Sequence, residues 1–260
     1  MKHYSLLLSA FFVACGPPEA PETLDELSSF LFEHVWDADE DYLLAGIENL
    51  DTWLDTNFDA TEEGYSVTNL SQEAVASLEG DGRSVEGLIG AAVGYDVPYS
   101  SEDIVLAMAF EDPMVLYPDD YEVYTRDYQS DTECFKTRDC MTLEFFQHVK
   151  AFYPLGIEIE ADSRTQYHWV ETEHGWSGVY RNWSRSPPVI NKSWLTVDQQ
   201  YYVAVSIPKA DGTTRRVEAM WVIAEIGDAN VPEGMALNMT IDTMKTTGPR
   251  LTAYFESQEE

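Results

Sequence analysis

The sequence predicts an α+β protein in which an acidic, mainly helical N-terminal segment precedes an antiparallel β-sheet. Three observations lead to this prediction. Near the N-terminus, Leu24, Leu27 and Leu31 recur at helical spacing. After residue 156, aromatic and β-branched residues dominate and apolar positions alternate with a period of two, as in strands. Between two long alternating runs, Asp211-Gly212 is typical of a tight hairpin turn.

The N-terminal helices are predicted from their caps and apolar stripes. Thr23 precedes Glu26 by three residues, which is the capping-box pattern of a helix start. A second helix is expected from Asp41, because apolar residues from Leu43 to Leu54 follow at helical spacing. Two shorter helices are predicted from polar caps and apolar spacing, at Ser71–Leu78 and, capped by Ser100 with Asp103, at Glu102–Phe110.

The pattern changes after Pro118, where strand-like segments begin. The predicted strands are Glu122–Tyr128, Arg164–Glu171, Ser177–Trp183, Ser193–Ile207 and Thr213–Ile226. We predict a helix at Thr142–Phe152. The last two strands carry apolar residues on both faces, which indicates a sheet that is covered on one side and lines a core or cavity on the other.

The C-terminal stretch, residues 235–256, is compatible with two structures. Met235, Leu237, Met239 and Ile241 alternate with smaller or polar residues, which favours a strand. Pro232-Glu233 could instead open a helix. We predict a strand.

The chain divides into four segments by composition. These are a signal peptide (1–14), a cysteine with a proline-rich tether (15–22), the acidic helical segment (23–118) and an antiparallel β-rich domain (119–260). The tether contains three prolines among small and acidic residues, which is typical of a stiff, extended linker.

The first fifteen residues, MKHYSLLLSAFFVAC, have a basic Lys2, a short apolar run and Ala14 directly before Cys15. This segment resembles the bacterial lipobox, although Phe12 stands where that pattern usually has leucine. The resemblance implies cleavage after Ala14 and lipid on Cys15; an ordinary cleaved secretory signal is the alternative. It also implies a lipid-anchored protein of the bacterial cell envelope. Outer-membrane attachment is favoured over inner-membrane attachment, because Gly16 is not the aspartate of inner-membrane retention.

The charge of the chain is strongly negative, with 47 acidic and 15 basic residues and a net charge of −32. Most of the imbalance lies before residue 121, where Arg83 is the single basic residue after the signal segment. Such a surface repels phosphate groups, which argues against nucleic acid and anionic lipid headgroups as direct partners. Solubility explains the charge; a basic partner or a divalent cation sink is the alternative.

Two cysteines remain after Cys15. Cys134 and Cys140 form an even pair in an exported chain, which predicts a disulfide. Metal binding is less favoured, because the spacing is not CxxC and no second pair exists.

Candidate catalytic and metal-binding residues do not form a recognisable motif. Asp37, Asp39, Asp41 and Glu48 occupy ligand positions of an EF-hand-like loop, but Tyr42 stands where that loop requires glycine. On one strand, His168 and His174 would lie about 20 Å apart, too far to share a metal. We therefore predict no metal, no cofactor and no catalytic residue, and we favour a protein that is not an enzyme.

Aromatic density in the sheet region is the most suggestive feature for binding. Trp169, Trp183, Trp221 and Tyr202 could form an apolar ligand wall, with Arg181 among the cations that could orient an anionic head group. Core packing and cross-strand pairing are the commoner reason for such residues.

A helix followed by long antiparallel strands, from about Tyr121 onward, is similar to the helix-grip domains of the START and polyketide-cyclase type. The resemblance lies in element order and implies a fold, with no residue motif to transfer. The predicted function is a lipid-anchored envelope lipoprotein whose non-catalytic domain binds a small apolar or lipid-like ligand. The alternatives are a protein-partner scaffold of the envelope and an uncharacterised hydrolase.

Overall fold

The N-terminal segment is helical in the computed structural model, which describes residues 19–79, 83–227 and 234–259. The signal peptide and Cys15 lie outside the described residues. Thr23 accepts a hydrogen bond from the Glu26 amide, and Ser71 from the Ala74 amide, as their capping patterns predict. The helices between residues 19 and 120 are α1 (Leu24–His34), α2 (Asp41–Glu62), α3 (Gln72–Ala76), α4 (Ser101–Phe110) and α5 (Pro113–Leu116).

A single antiparallel sheet forms the centre of the molecule and, in the described residues, contains nine strands. Its spatial order is β1-β2-β9-β8-β6-β5-β4-β3, and β7 pairs with β5 outside this path. The strands are β1 (Tyr65–Ser66), β2 (Ile89–Val97), β3 (Tyr121–Tyr128), β4 (Thr142–Tyr153), β5 (Ile157–Thr172), β6 (Gly175–Ser184), β7 (Val189–Ile190), β8 (Leu195–Pro208) and β9 (Thr214–Ile226). This arrangement of helices followed by an antiparallel sheet confirms the predicted fold class.

Strand β2 was not expected, because it lies inside the acidic segment. Its nine residues pair with β9 from Ile89 opposite Val222 to Val97 opposite Thr214. The acidic segment and the sheet are therefore joined by backbone hydrogen bonds.

The predicted helix at Thr142–Phe152 is wrong, because this segment is strand β4. Leu143, Phe145 and Ala151 are buried on one face, which follows a period of two rather than 3.6. Pairing along the whole length of β4 with β5 fixes the extended backbone.

The predicted C-terminal strand is also wrong, because residues 235–258 form helices α7 (Met235–Lys245) and α8 (Thr247–Gln258). Met235, Met239 and Thr243, spaced by four residues, line a common cavity. Methionine and leucine favour helices, so their apolar alternation was compatible with both structures. A short helix, α6 (Thr132–Lys136), precedes β4. No helix within the described ranges is both long and apolar enough to cross a bilayer.

Helices cover both faces of the sheet. Helices α1, α2 and α3 pack on one face of the sheet, which carries Trp183, Tyr201 and Trp221. We call it the opposite face, because it lies across the sheet from the cavities described below. Helices α4 and α7 pack on the cavity face, which carries Phe145, Tyr167, Tyr180, Tyr202 and Met220. The expectation of a sheet that is covered on one side and lines a core or cavity on the other is confirmed.

Candidate ligand-binding cavities

An apolar cavity of about 90 Å³ lies between the cavity face and α7. Strands β5, β8 and β9 form its floor, and α7 forms its cover. Its apolar lining includes Ile159, Trp194, Leu195, Val222, Met235 and Met239.

A polar cavity of about 190 Å³ adjoins the apolar one. Tyr153, Gln200, Met220 and Thr243 line both cavities, so the two adjoin at these side chains. Seven tyrosines and three amide side chains contribute to the polar cavity, namely Tyr117, Tyr121, Tyr124, Tyr153, Tyr167, Tyr180, Tyr202, Gln147, Asn182 and Gln200.

The tyrosines of the polar cavity are neutral at physiological pH. Burial raises the pKa of Tyr167, Tyr180 and Tyr202 above the ordinary value of about 10. Each hydroxyl can therefore both donate and accept a hydrogen bond. The cavity consequently offers neutral polar groups to a ligand.

A buried ion pair lies at the edge of the polar cavity. Arg216 Nε donates to Glu218 Oε1 at 2.9 Å, and both side chains are 1% exposed. Tyr95 donates to the same carboxylate oxygen at 2.5 Å, and Arg216 Nη1 donates to Ser206 Oγ at 2.6 Å. Burial alone would lower the pKa of Arg216. The neighbouring tyrosines and Glu218 raise this pKa by more than burial lowers it, so it lies well above its ordinary value. The two charges compensate each other.

A second arginine, Arg126 on β3, also lines the polar cavity. Its Nη1 and Nη2 donate to the backbone oxygens of Glu111 and Met108, at 2.6 and 2.9 Å. The guanidinium carbon lies 5.1 Å from the centre of the Tyr124 ring and 5.6 Å from that of Phe145. Burial lowers the pKa of Arg126, whereas the neighbouring tyrosines raise it, with a net rise. Arg126 therefore carries a full positive charge.

A third cavity, of about 310 Å³, lies between the β4–β5 turn and the C-terminal helices. It shares Tyr121, Tyr153 and Thr243 with the polar cavity. At the edge of this cavity, Arg250 donates two hydrogen bonds to Asp120. This ion pair links the start of β3 to α8.

Of the five predicted ligand-binding residues, Tyr202 lines a cavity. Trp183 and Trp221 are fully buried on the opposite face, where Trp221 meets the Phe32 ring at 6.1 Å. Trp169 is on the cavity face but stacks on Phe135 at 5.3 Å. Its indole nitrogen donates to the Phe135 carbonyl at 3.1 Å. These three tryptophans fill cores instead of lining the cavities, because helices α1 and α6 occupy the space beside them.

Arg181 also points to the opposite face. Its Nη1 donates to the carbonyls of Phe32 and Glu33 in the last turn of α1, at 2.9 and 3.1 Å. Its Nε donates to the Gln166 side chain at 2.9 Å. Burial lowers the pKa of Arg181 to about 10. The residue attaches α1 to the sheet and lies across the sheet from the cavities.

The two candidate cysteines lie where the predicted disulfide requires. Cys134 and Cys140 are at bonding distance, with their Cα atoms 5.2 Å apart. The loop between them holds Phe135, which is fully buried against Trp169. The cysteine pair thus braces one end of the cavity face.

The other residues considered for metal binding are separated. Asp41 begins α2, and Asp39 accepts a hydrogen bond from its amide at 3.1 Å. His168 is buried, with Nδ1 2.9 Å from the Val35 carbonyl oxygen, whereas His174 lies at the β5–β6 turn. Among the described residues, no three His, Cys, Asp or Glu side chains are grouped to hold a metal ion.

Sequence reasoning missed Arg126, Tyr124, Arg216 and Glu218. A signal was present: Tyr124 and Arg126 share one face of β3, and Arg216 and Glu218 alternate with apolar residues in β9. Charged residues on the inward face of a strand indicate a buried polar site once the direction of that face is known.

Comparison with known proteins gives structural neighbours and no sequence relatives. No protein-family model matches the chain, and no curated protein matches it. A STAR-related lipid transfer protein from Xanthomonas axonopodis is 12% identical, with a TM-score of 0.40 over 69% of this chain and 97% of that one. A START superfamily protein from Mycobacterium smegmatis is 10% identical, with a TM-score of 0.40 over 65% and 98%.

The human StarD13 (DLC2) lipid transfer and protein localization domain is 12% identical, with a TM-score of 0.38 over 79% of this chain and 95% of that domain. The names of these proteins place them in the START group, which the order of helices and strands in this sequence also resembles. At this level of similarity, the comparison gives no information on ligand or activity.

Proposed function

We propose that the folded domain binds a small apolar or lipid-like ligand beneath α7 and performs no chemistry on it. The observation behind this proposal is the apolar cavity, which adjoins a polar one and is covered by a single helix. Met235 and Met239 of that helix line the cavity, and methionine side chains adapt readily to different apolar ligands.

The polar groups around the cavities support binding over catalysis. General acid–base chemistry needs a group that is free to transfer a proton to the ligand. Asp120 and Glu218 line the polar cavity, and each is paired with an arginine. No histidine among the described residues lines the apolar, polar or third cavity.

Calorimetric titration with 1-octanol tests the binding proposal. We expect saturable binding to the wild-type protein and at least a tenfold weaker affinity in Thr243→Phe, because Thr243 lines all three cavities. The Thr243 hydroxyl donates only within its own helix, to the Met239 carbonyl, so the added ring acts mainly by filling space.

Asn238→Phe is the matched control, since Asn238 is an exposed position of the same helix. It should bind 1-octanol as the wild type does. Equal binding by all three proteins would place the ligand elsewhere and contradict the proposal, as would the absence of binding to the wild type.

The location of the protein is the second part of the proposal. The lipobox-like segment supports a lipid anchor at Cys15 in a bacterial envelope, with the outer membrane favoured. Intact mass of the membrane-extracted protein, compared with Cys15→Ala, tests it. A chain that begins at Cys15 and carries three acyl chains is expected. An unlipidated wild-type chain would contradict the anchor and leave the binding proposal unaffected.

A further inference from the structure

Among the described residues, one charged side chain that lines the polar cavity has no carboxylate to balance it. Three charged residues line this cavity: Asp120, Arg126 and Glu218. Asp120 is paired with Arg250, and Glu218 with Arg216. Within the described residues, Arg126 has no carboxylate within 4.0 Å. The cavity therefore has one uncompensated positive charge, in a protein whose net charge is −32.

The surroundings of Arg126 account for only part of its hydrogen-bonding capacity. Its two Nη atoms bond carbonyls at the end of α4, where the helix dipole supplies about half a negative charge. Its Nε is buried and has no hydrogen-bond partner in the described part of the chain. An unpaired buried N–H is unfavourable, because it has lost its hydrogen bonds to water. Capping of α4 therefore neither fully compensates the charge of Arg126 nor gives its Nε a hydrogen-bond partner.

The groups near Arg126 are suited to an anion. Burial raises the pKa of Tyr124, so it remains neutral, but its hydroxyl already donates to Gln147 at 2.9 Å and is not available to a carboxylate. Tyr167 and Tyr180 are likewise neutral and line the same cavity. Hydroxyl groups and a guanidinium together stabilise a carboxylate through charge-assisted hydrogen bonds.

The size of the cavities limits the ligand. At about 30 Å³ for each water-sized group, the apolar and polar cavities hold about nine such groups. One cation matches one negative charge, which favours a carboxylate over a phosphate of higher charge. The polar cavity suits the head of such a molecule and the first part of its chain, and the adjoining apolar cavity suits the end of the chain.

We infer that the ligand is an acidic amphiphile, a monocarboxylate with a chain of about eight carbons, whose carboxylate is recognised by Arg126. This inference rests on the proposed function and adds its head-group chemistry. A neutral ligand of the same length would satisfy the apolar cavity and leave Arg126 unpaired. Binding should therefore discriminate between head groups on an identical chain.

Octanoate and 1-octanol, titrated calorimetrically at pH 7.5, test the inference, because they share a chain and differ in charge. The wild-type protein should bind octanoate at least tenfold more tightly than 1-octanol. Arg126→Gln should lose that preference to within twofold, because the head groups then no longer differ in their attraction to a cation.

Tyr128→Phe is the matched control. Tyr128 donates to the Ala109 carbonyl at 2.7 Å, so its loss loosens the same helix end without changing the charge. This variant should keep the preference for octanoate. Equal loss in both variants would show that Arg126 acts only as a helix cap and would overturn the inference.

Octylammonium adds a test on the wild-type protein, independent of how any variant folds. It should bind more weakly than 1-octanol, because its charge repels Arg126. Wild-type protein that binds 1-octanol as tightly as octanoate would overturn the inference and leave the proposed function standing. Absence of binding by both would overturn the proposed function itself.

Discussion

The two faces of the sheet are both aromatic, yet the apolar and polar cavities described above lie on only one of them. On the opposite face, Trp183, Tyr201 and Trp221 are fully buried beneath α1 and α2. On the cavity face, Tyr167 and Tyr180 stack at 4.5 Å, and both line the polar cavity. Aromatic density therefore does not distinguish a binding wall from a core. The difference lies in the helix that covers each face and in the polar groups that face it.

The covering helices differ in how they contact the sheet. Helix α1 inserts Leu27 and Phe32 into the core, and Arg181 bonds its last turn. Helix α7 presents two methionines and two threonines, with space left beneath them. A stable face and a binding face can thus share the same strands.

Truncation of a tryptophan on the opposite face should have the largest effect on stability. We expect Trp221→Ala to lower the free energy of unfolding by about 3–5 kcal/mol, because it empties a fully buried site. Urea unfolding measures it. On the cavity face, Tyr202→Phe should change stability by about 1 kcal/mol or less. An equal loss in both variants would remove the distinction between the faces.

Breaking the buried ion pair should have the next largest effect. Glu218→Gln leaves the Arg216 charge buried without its partner and should destabilise the protein by about 3 kcal/mol in urea unfolding. The double variant Arg216→Met, Glu218→Leu should be more stable than Glu218→Gln, because no unpaired charge remains. The opposite order of stabilities would show that the pair itself stabilises the cavity face.

Removal of the disulfide should have a smaller effect. Replacing Cys134 and Cys140 by serine should lower the free energy of unfolding by about 2 kcal/mol, since the closed loop is short. Thermal unfolding of the variant and of the reduced wild type should agree. A large loss of 1-octanol affinity in the variant would indicate that the loop shapes the cavities directly.

Expressed as the change in the free energy of unfolding per residue, the pH dependence should be the smallest of these effects. The pKa values of Tyr167, Tyr180 and Tyr202 are raised in the folded state, so above pH 10 the unfolded chain loses protons that the folded chain keeps. Stability should therefore be constant up to about pH 9 and then fall, by about 1 kcal/mol per buried tyrosine at pH 11. Melting temperature against pH measures this, and a rise in stability above pH 10 would contradict it.

The sequence predicted the fold better than the site. Helix caps such as Thr23 and Ser71 are local signals, so the helix starts were correct. The predictions for residues 142–152 and 235–256 were wrong, because short apolar patterns fit both periods and pairing or packing decided the outcome. From the sequence, the core residues Trp183 and Trp221 could not be distinguished from the cavity residue Tyr202, because the strands that contain them carry apolar residues on both faces. Arg126 and its neighbours meet only through pairing between distant strands.

Methionine methyl NMR is the most direct measurement of the central claim, that the ligand lies beneath α7. Met220, Met235 and Met239 line the apolar cavity, whereas Met114 and Met141 line neither the apolar nor the polar cavity. On titration with 1-octanol, we expect the three cavity methyl signals to shift with one common affinity while those of Met114 and Met141 stay fixed. Shifts confined to Met114 and Met141, or no shifts at saturating 1-octanol, would contradict the account.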